Sequence, residues 1–183
     1  IELETPSAPA STEASSNGAS VATYGEGVHK TGTDIPAGEY FALADKNAIL
    51  PSLTVRDGSS SDAKILAIAT VQNFSIIGIS DGEYLDVSGC LLLPLEESKA
   101  VLDQMLANTT GGYPSGMYKV GYHIDAGEYK VAPLKDAIIP SYTIYSDAAR
   151  RNIKDIKTVE SQGYVTLQDG EYIELSGTAI VLE

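Results

Sequence analysis

The residues of this chain with chemistry available to them are two histidines, one cysteine, a scatter of acids and eleven tyrosines. Nucleophilic catalysis needs a Ser or Cys beside a base that a third group orients, and no G-x-S-x-G or comparable setting surrounds His29 or His123. Cys90 has no basic neighbour in sequence to lower its pKa, so it reads as a packed thiol. Zinc needs more nitrogen and sulfur ligands than one Cys and two scattered His supply. Asp81, Glu83 and Asp86, with Asp169, Glu171 and Glu174, are oxygen ligands of the kind calcium takes. They lack a dense D-x-D-x-D loop, however, and Asp-Gly followed by alternating acids is what a hairpin turn and a solvated strand face require. No catalytic residue, metal or cofactor is therefore assigned. The enzymatic alternative is a hydrolase using carboxylates from two strands, which needs a cleft holding two acids about 5 to 10 Å apart.

The tyrosines carry more information. Tyr40 and Tyr129, like Tyr84 and Tyr172, follow a Gly-Glu pair in each half of the chain. They read as architecture, with the ring at the core margin and the hydroxyl on a backbone group. Tyr118, Tyr122, Tyr142, Tyr145 and Tyr164 occur only in the second half, where the first has His29, Thr33, Leu53, Arg56 and Ile76. Tyr118 and Tyr122 are four apart and would share a face of a continuous strand. Tyr118, Tyr122 and Tyr145 are accordingly the expected ligand-binding residues, able to stack on a sugar ring or fill a protein interface. Packing against neighbouring elements is the competing reading.

These residues are positioned by a tandem repeat. Across 27–54 an offset of 89 gives identical residues in 14 of 28 columns, including Gly32, Ile35, Ala37, Gly38, Glu39 and Tyr40 against Gly121, Ile124, Ala126, Gly127, Glu128 and Tyr129. Further on, an offset of 88 aligns Asp81-Gly82-Glu83-Tyr84 with Asp169-Gly170-Glu171-Tyr172. One residue is lost between the two registers, which points to the polar loop 58–62. Alternation at 52–56 and 141–145, and turn dipeptides at Asp81-Gly82 and Asp169-Gly170, predict short strands and hairpins. Segments 63–69 and 151–157 carry isoleucines three apart, which favours a helical turn, with a buried strand as the alternative in the first copy. Between the copies, 96–108 has an apolar stripe of Val101, Leu102, Met105 and Leu106, ended by Asn108 and Gly111-Gly112. It predicts a helix packed along one of the copies.

The expected architecture is all-β: two tandem small β-sandwich or barrel modules of about 70 residues each, joined by a short helical linker. The expected divisions are a tether at 1–23, copy 1 at 24–95, the linker at 96–112 and copy 2 at 113–183. Residues 6–20 are Ser, Ala, Thr and Pro with no large apolar side chain, a composition that does not offset its ordering entropy by burial. The net charge of −13 opposes nucleic acid as a partner. No run is apolar enough to cross a bilayer as a helix. Arg150, Arg151, Lys154 and Lys157 form the one basic cluster, a contact for an anionic wall polymer or a solvated turn.

The pair GTDIPAGEY and DGEYLDVSG, repeated as GYHIDAGEY and DGEYIELSG, resembles a short β-rich module found in tandem in secreted and lipid-anchored proteins of Gram-positive bacteria, a family of unknown function. The resemblance covers both copies. It implies an extracellular, surface-tethered location in the cell envelope, with an N-terminal lipid anchor lying outside these residues, and it carries over no activity. The expectation is a non-enzymatic envelope or secreted module that binds a cell-wall glycan or a protein, or acts as a spacer.

Overall fold

The computed structural model describes residues 21–107, 109 and 111–182. The predicted tether at 1–23 falls almost wholly outside this range, as does Asn108. Copy 1 supplies β1 (Gly27–Lys30), β2 (Gly38–Ala44), β3 (Ser52–Arg56), β4 (Ile65–Thr70), β5 (Phe74–Ile79), β6 (Tyr84–Ser88) and β7 (Cys90–Pro94). A single turn of 3-10 helix (Leu95–Glu97) leads into α1 (Ser98–Leu106). Copy 2 supplies β8 (Gly112–Tyr113), β9 (Gly116–Lys119), β10 (Gly127–Pro133), β11 (Ser141–Tyr145), β12 (Ile153–Thr158), β13 (Gly163–Leu167), β14 (Tyr172–Ser176) and β15 (Thr178–Val181). The fold is all-β with one short helix, and every strand pair is antiparallel.

Among the described residues, no strand of one copy pairs with a strand of the other. Copy 1 forms the sheets β1-β6-β3-β4 and β5-β2-β7; copy 2 repeats them as β9-β14-β11-β12 and β13-β10-β15-β8. The two-residue strand β8 has its counterpart in the isolated bridge between Tyr24 and Leu92. The two registers differ by one residue between β3 and β4, as expected from the loop at 58–62. The Asp-Gly turns predicted to close hairpins do not: Asp81-Gly82 and Asp169-Gly170, with Gly82 and Gly170 at φ 83° and 84°, join β5 to β6 and β13 to β14, and each turn crosses between sheets, because β5 and β13 pair with β2 and β10 while β6 and β14 pair within the facing sheet.

Segments 63–69 and 151–157 are not helical turns; they contribute the edge strands β4 and β12. The isoleucines three apart mark no helical core stripe, for Ile65, Ile68, Ile153 and Ile156 are all exposed. In β4 it is Ala67 and Ala69, two apart, that face the core, a period-two signal carried by side chains too small to stand out. A β-bulge opposite each segment, at Val55/Arg56 and Ile144/Tyr145, shifts the register further.

The sheet β5-β2-β7 decides how the copies meet. Its inner face, with Tyr40, Ala42, Ile77, Ile79 and Leu92, closes the core of copy 1. Its outer face, with Phe41, Phe74, Ile76 and Leu93, belongs to a second core that continues through copy 2 and takes in Leu102 of α1. Every residue of β5 is consequently buried. What covers this outer face is the sheet β9-β14-β11-β12: Phe74 stacks with Phe41 at 5.2 Å and meets the edge of Tyr118 at 5.1 Å. The sheets thus lie in the order β1-β6-β3-β4, β5-β2-β7, β9-β14-β11-β12, β13-β10-β15-β8.

Two glycines permit this approach. A Cβ on Gly78 would lie 2.9 Å from the backbone nitrogen of Ala149, and Gly78 donates its N–H to the carbonyl of Ala148 at 2.8 Å. A Cβ on Gly116 would lie 2.4 Å from the Phe74 ring. The stack has a defined sense. Gln72 and Asn73 reach Ser176 and Ser115 at one end, while Glu39 and Gly78 reach Lys119 and Ala148 at the other. By strand register these are equivalent ends of both copies. Both copies therefore point their Asp-Gly turns to one end, the turn end, and the β2–β3 and β10–β11 connections to the other, the loop end.

Phe74→Ala is expected to lower stability by about 3–5 kcal/mol, because the rings of Phe41 and Tyr118 lose their shared partner. Tyr164→Ala, on the equivalent outer face of copy 2, is expected to stay within about 0.5 kcal/mol. Urea unfolding of both variants checks the contrast.

Candidate functional site

The three tyrosines expected to bind a ligand do not assemble an exposed patch. Tyr118 is fully buried, its ring enclosed by Phe74 and Tyr113 and its hydroxyl donating to the carbonyl of Pro114 at 2.7 Å. Tyr145 lies inside the seam with 8% of its surface exposed, under the Arg150 guanidinium at 5.0 Å and bonded to Glu174. Tyr122 is half-buried in the turn after β9, not on a strand with Tyr118, and donates to the carbonyl of Glu96 at 2.7 Å. The second copy's extra tyrosines at 118 and 145 serve the contact between copies. Exposed stacking was expected because a sequence shows which face a side chain takes, but not whether that face is covered.

The same seam consumes most of the charge that sequence alone leaves open. Lys119 reaches Glu39 at 2.7 Å, and Tyr172 donates to the other oxygen of that carboxylate at 2.6 Å. Burial works to lower the pKa of Lys119, and the bond to Glu39 outweighs it and raises the pKa. Burial and the bond to Glu39 push the Tyr172 hydroxyl up to about 12. Three of the four cations of the expected basic cluster are paired: Arg150 with Glu174, Arg151 with Glu83 of copy 1, and Lys154 with Glu171. Arg150 enters from a residue at φ 62°, is 5% exposed, and also donates to Ser75 of copy 1 at 3.1 Å. Glu83 and Glu171 further accept the backbone N–H groups of Ser80 and Gln168, at 2.9 Å each, closing the Asp-Gly turns. These acids hold turns and seams together. Among the described residues, no group of three or more His, Cys, Asp or Glu is placed to hold a metal ion.

One arrangement that sequence reasoning missed has the parts of a catalytic dyad. Ser98, at the start of α1, lies 2.7 Å from Nε2 of His123, and both are buried. The hydrogen bonds assign its polarity. Nδ1 of His123 accepts the backbone N–H of Lys119 at 3.2 Å, which leaves the ring proton on Nε2, facing Ser98. The Ser98 hydroxyl donates in turn to the carbonyl of Leu95 at 2.5 Å. The imidazole thus donates to the hydroxyl oxygen and takes no proton from it, the reverse of what activates a serine. The pair fastens α1 to copy 2.

The repeat explains the histidine. In copy 1 the same turn is held by Asp34, whose carboxylate accepts the N–H of Lys30 at 2.8 Å. His123 does this work in copy 2 from a position where Phe41 packs against its ring at 5.7 Å, where a bare carboxylate would be costly to bury. Burial, helped by Lys99 and Lys119, pushes the pKa of His123 down to about 4. Cys90 is a packed thiol, 5% exposed, with its pKa pushed up to about 11 by burial. Tyr40 and Tyr129 cap the carbonyls of Pro36 and Asp125 at 2.8 Å each, the backbone role expected of them.

The surface that remains distinctive is apolar. In the β2–β3 connection Ile49 and Leu50 are 94% and 74% exposed; in the β10–β11 connection Ile138 and Ile139 are 94% and 70% exposed. Each pair follows a Lys-x-Ala and precedes a Pro: Lys46, Ala48 and Pro51 in copy 1, Lys135, Ala137 and Pro140 in copy 2. Both pairs stand at the loop end. Beside the first, a groove of about 870 Å³ runs between the connection and α1, lined by Leu43, Ile49, Leu50, Val71, Val101 and Met105 among others. The identities at 48, 49 and 51 were visible in the repeat, and nothing in the sequence distinguished a buried aliphatic from a displayed one.

Because His123 is neutral in the fold and ordinarily titrates near 6.5, the unfolded chain binds the extra proton first as pH falls. Its contribution is whole above about pH 6.5 and is lost as pH drops toward 4, a difference on the order of 1–3 kcal/mol. Thermal melts from pH 7.5 to 4.5 are expected to fall less steeply for His123→Asn than for the parent. Equal slopes would count against this role. Comparison with known protein families, curated proteins and solved structures returns no match.

Proposed function

We propose that this chain is a non-enzymatic module of the cell envelope or the secreted fraction, that it works by binding a protein partner, and that the contact is made at the loop end. The observation that carries this reading is the pair of aliphatic tips, Ile49-Leu50 and Ile138-Ile139, exposed to nearly the same degree in both copies and carried at the same end. Large apolar side chains held in water cost free energy that covering them returns, at roughly 25 cal/mol per Å². Each copy retains such a pair although neither core uses it.

The surroundings favour a protein over a glycan. Carbohydrate is held by exposed aromatic faces with polar groups around them, and Tyr118 and Tyr145 are enclosed in the seam. The loop end offers branched aliphatics and an apolar groove, the composition of an interface core. The paired connections sit on copies locked together by rings, ion pairs and backbone hydrogen bonds, so both tips are presented without ordering a flexible joint. The same rigidity suits a spacer, the role left if nothing binds.

The test is a binding comparison against purified envelope proteins, cell-wall sacculi and a glycan array. It uses the parent chain and an Ile49→Asp/Ile138→Asp variant whose circular dichroism and melting match the parent. Protein binding that falls at least tenfold in the variant supports the proposal. Binding that the double variant leaves unchanged places the contact elsewhere, and glycan binding by both chains overturns the protein reading.

A further inference from the structure

The seam between the copies is heterologous: the outer face of β5-β2-β7 meets the outer face of β9-β14-β11-β12. One chain therefore still presents the counterpart of each face at its two extremes. Copy 2 ends in the sheet of β10 and β13, the equivalent of β2 and β5, and copy 1 begins with the sheet of β1 and β6, the equivalent of β9 and β14. We propose that these end faces bind each other between chains, so that a second copy of this chain stacks head to tail on the first in an arrangement related to that of the internal seam.

One polar cluster of the seam is retained at both ends, while Arg151, which pairs with Glu83 across the seam, has Ala63 as its counterpart. Inside the chain, Glu39 accepts from Lys119 and from Tyr172, and the Lys119 ammonium lies 5.4 Å from the Tyr172 ring centre. The counterpart of Glu39 is the exposed Glu128 on β10. The counterparts of Lys119 and Tyr172 are Lys30 and Tyr84, cross-strand partners held in the same relation at 6.0 Å. Stacking one chain on another in that related arrangement would bring Glu128 to Lys30 and Tyr84.

Some of the positions that changed did so in complementary pairs. Phe41 packs on His123; their counterparts are Lys130 and Asp34, so an apolar contact is exchanged for opposite charges. Met117 and Ile76, buried in the seam, correspond to Val28 and Tyr164, which are 57% and 61% exposed and leave apolar surface on each end face. At the closest approaches of the seam, Gly116 corresponds to Gly27, which has open space in front of it, while Phe74 and Gly78 correspond to Gln162 and Thr166, whose side chains hold the faces farther apart there. With charges in place of stacked rings, the contact between chains is weaker than the seam and sensitive to salt. A heterologous contact of this kind does not close, so chains add in a line.

Sedimentation equilibrium of the parent chain at low salt over a wide concentration range is expected to show reversible linear association that weakens as salt is added. Glu128→Lys and Lys30→Glu should each weaken it by about tenfold. Their one-to-one mixture should recover linear association of alternating chains, since one mixed contact pairs the two reversed residues and the other pairs the two unchanged ones, opposite in charge both times. A parent chain that stays monomeric up to millimolar concentration overturns the proposal. So does association that both reversals leave unchanged, or a mixture that recovers nothing. The loop-end variant Ile49→Asp/Ile138→Asp should associate as the parent does, which keeps this outcome separate from binding at the tips.

Discussion

A sheet that is apolar on both faces cannot end a sandwich. In β5-β2-β7 the inner residues Tyr40, Ala42 and Ile77 complete the core of copy 1, and the outer residues Phe41, Phe74, Ile76 and Leu93 need a cover of their own. Burying each of these outer side chains stabilises by about 1.5–3 kcal/mol, which leaving them in water would forfeit. The seam follows from that requirement, and so do Gly78 and Gly116 at its closest approaches, Tyr118 and Tyr145, and the placement of α1. Copy 2 has no such requirement on its far side, where Lys130, Tyr164 and Thr166 occupy the equivalent positions.

Charge is used here to set register more than to bind. Arg150 is held by Glu174 and Ser75, and Arg151 and Lys119 tie to acids of the other copy, so a displaced seam would leave partly buried ions without partners. His123 and Ser98 show the same economy with neutral groups. Their spacing suits catalysis, and their hydrogen-bond polarity suits a clamp, because the imidazole proton already faces the serine oxygen. Both ends of the stack stay open to water, one edge displaying paired aliphatic tips and the two extreme faces carrying retained pieces of the seam.

The two copies also measure how far identical motifs fix structure. Gly32-Thr33-Asp34-Ile35 and Gly121-Tyr122-His123-Ile124 make the same turn, bridged between Thr31 and Ile35 or between Val120 and Ile124, although a carboxylate does the work in one and an imidazole in the other. The backbone geometry persists while the side chains answer to what covers them.

The sequence by itself determined the all-β class, the repeat, the turns at Asp81-Gly82 and Asp169-Gly170, the position of the single-residue deletion and the backbone role of Tyr40 and Tyr129. All of these are local: a turn dipeptide, an alternation or a hydroxyl four residues from its carbonyl acts within a few positions of itself. It misassigned 63–69, where exposed isoleucines three apart outweighed the small alanines that face the core, and 151–157, an edge strand exposed along its length, and it took the Asp-Gly turns for hairpins, because a turn dipeptide does not show which sheet the next strand joins. Tertiary structure alone decided the rest. Whether Tyr118 and Tyr145 are displayed or enclosed, whether Arg150 is free or clamped, and whether Ile49 is core or surface all depend on which sheet lies above them. That is set by packing between residues more than 40 positions apart, for which a single sequence carries no short-range signal.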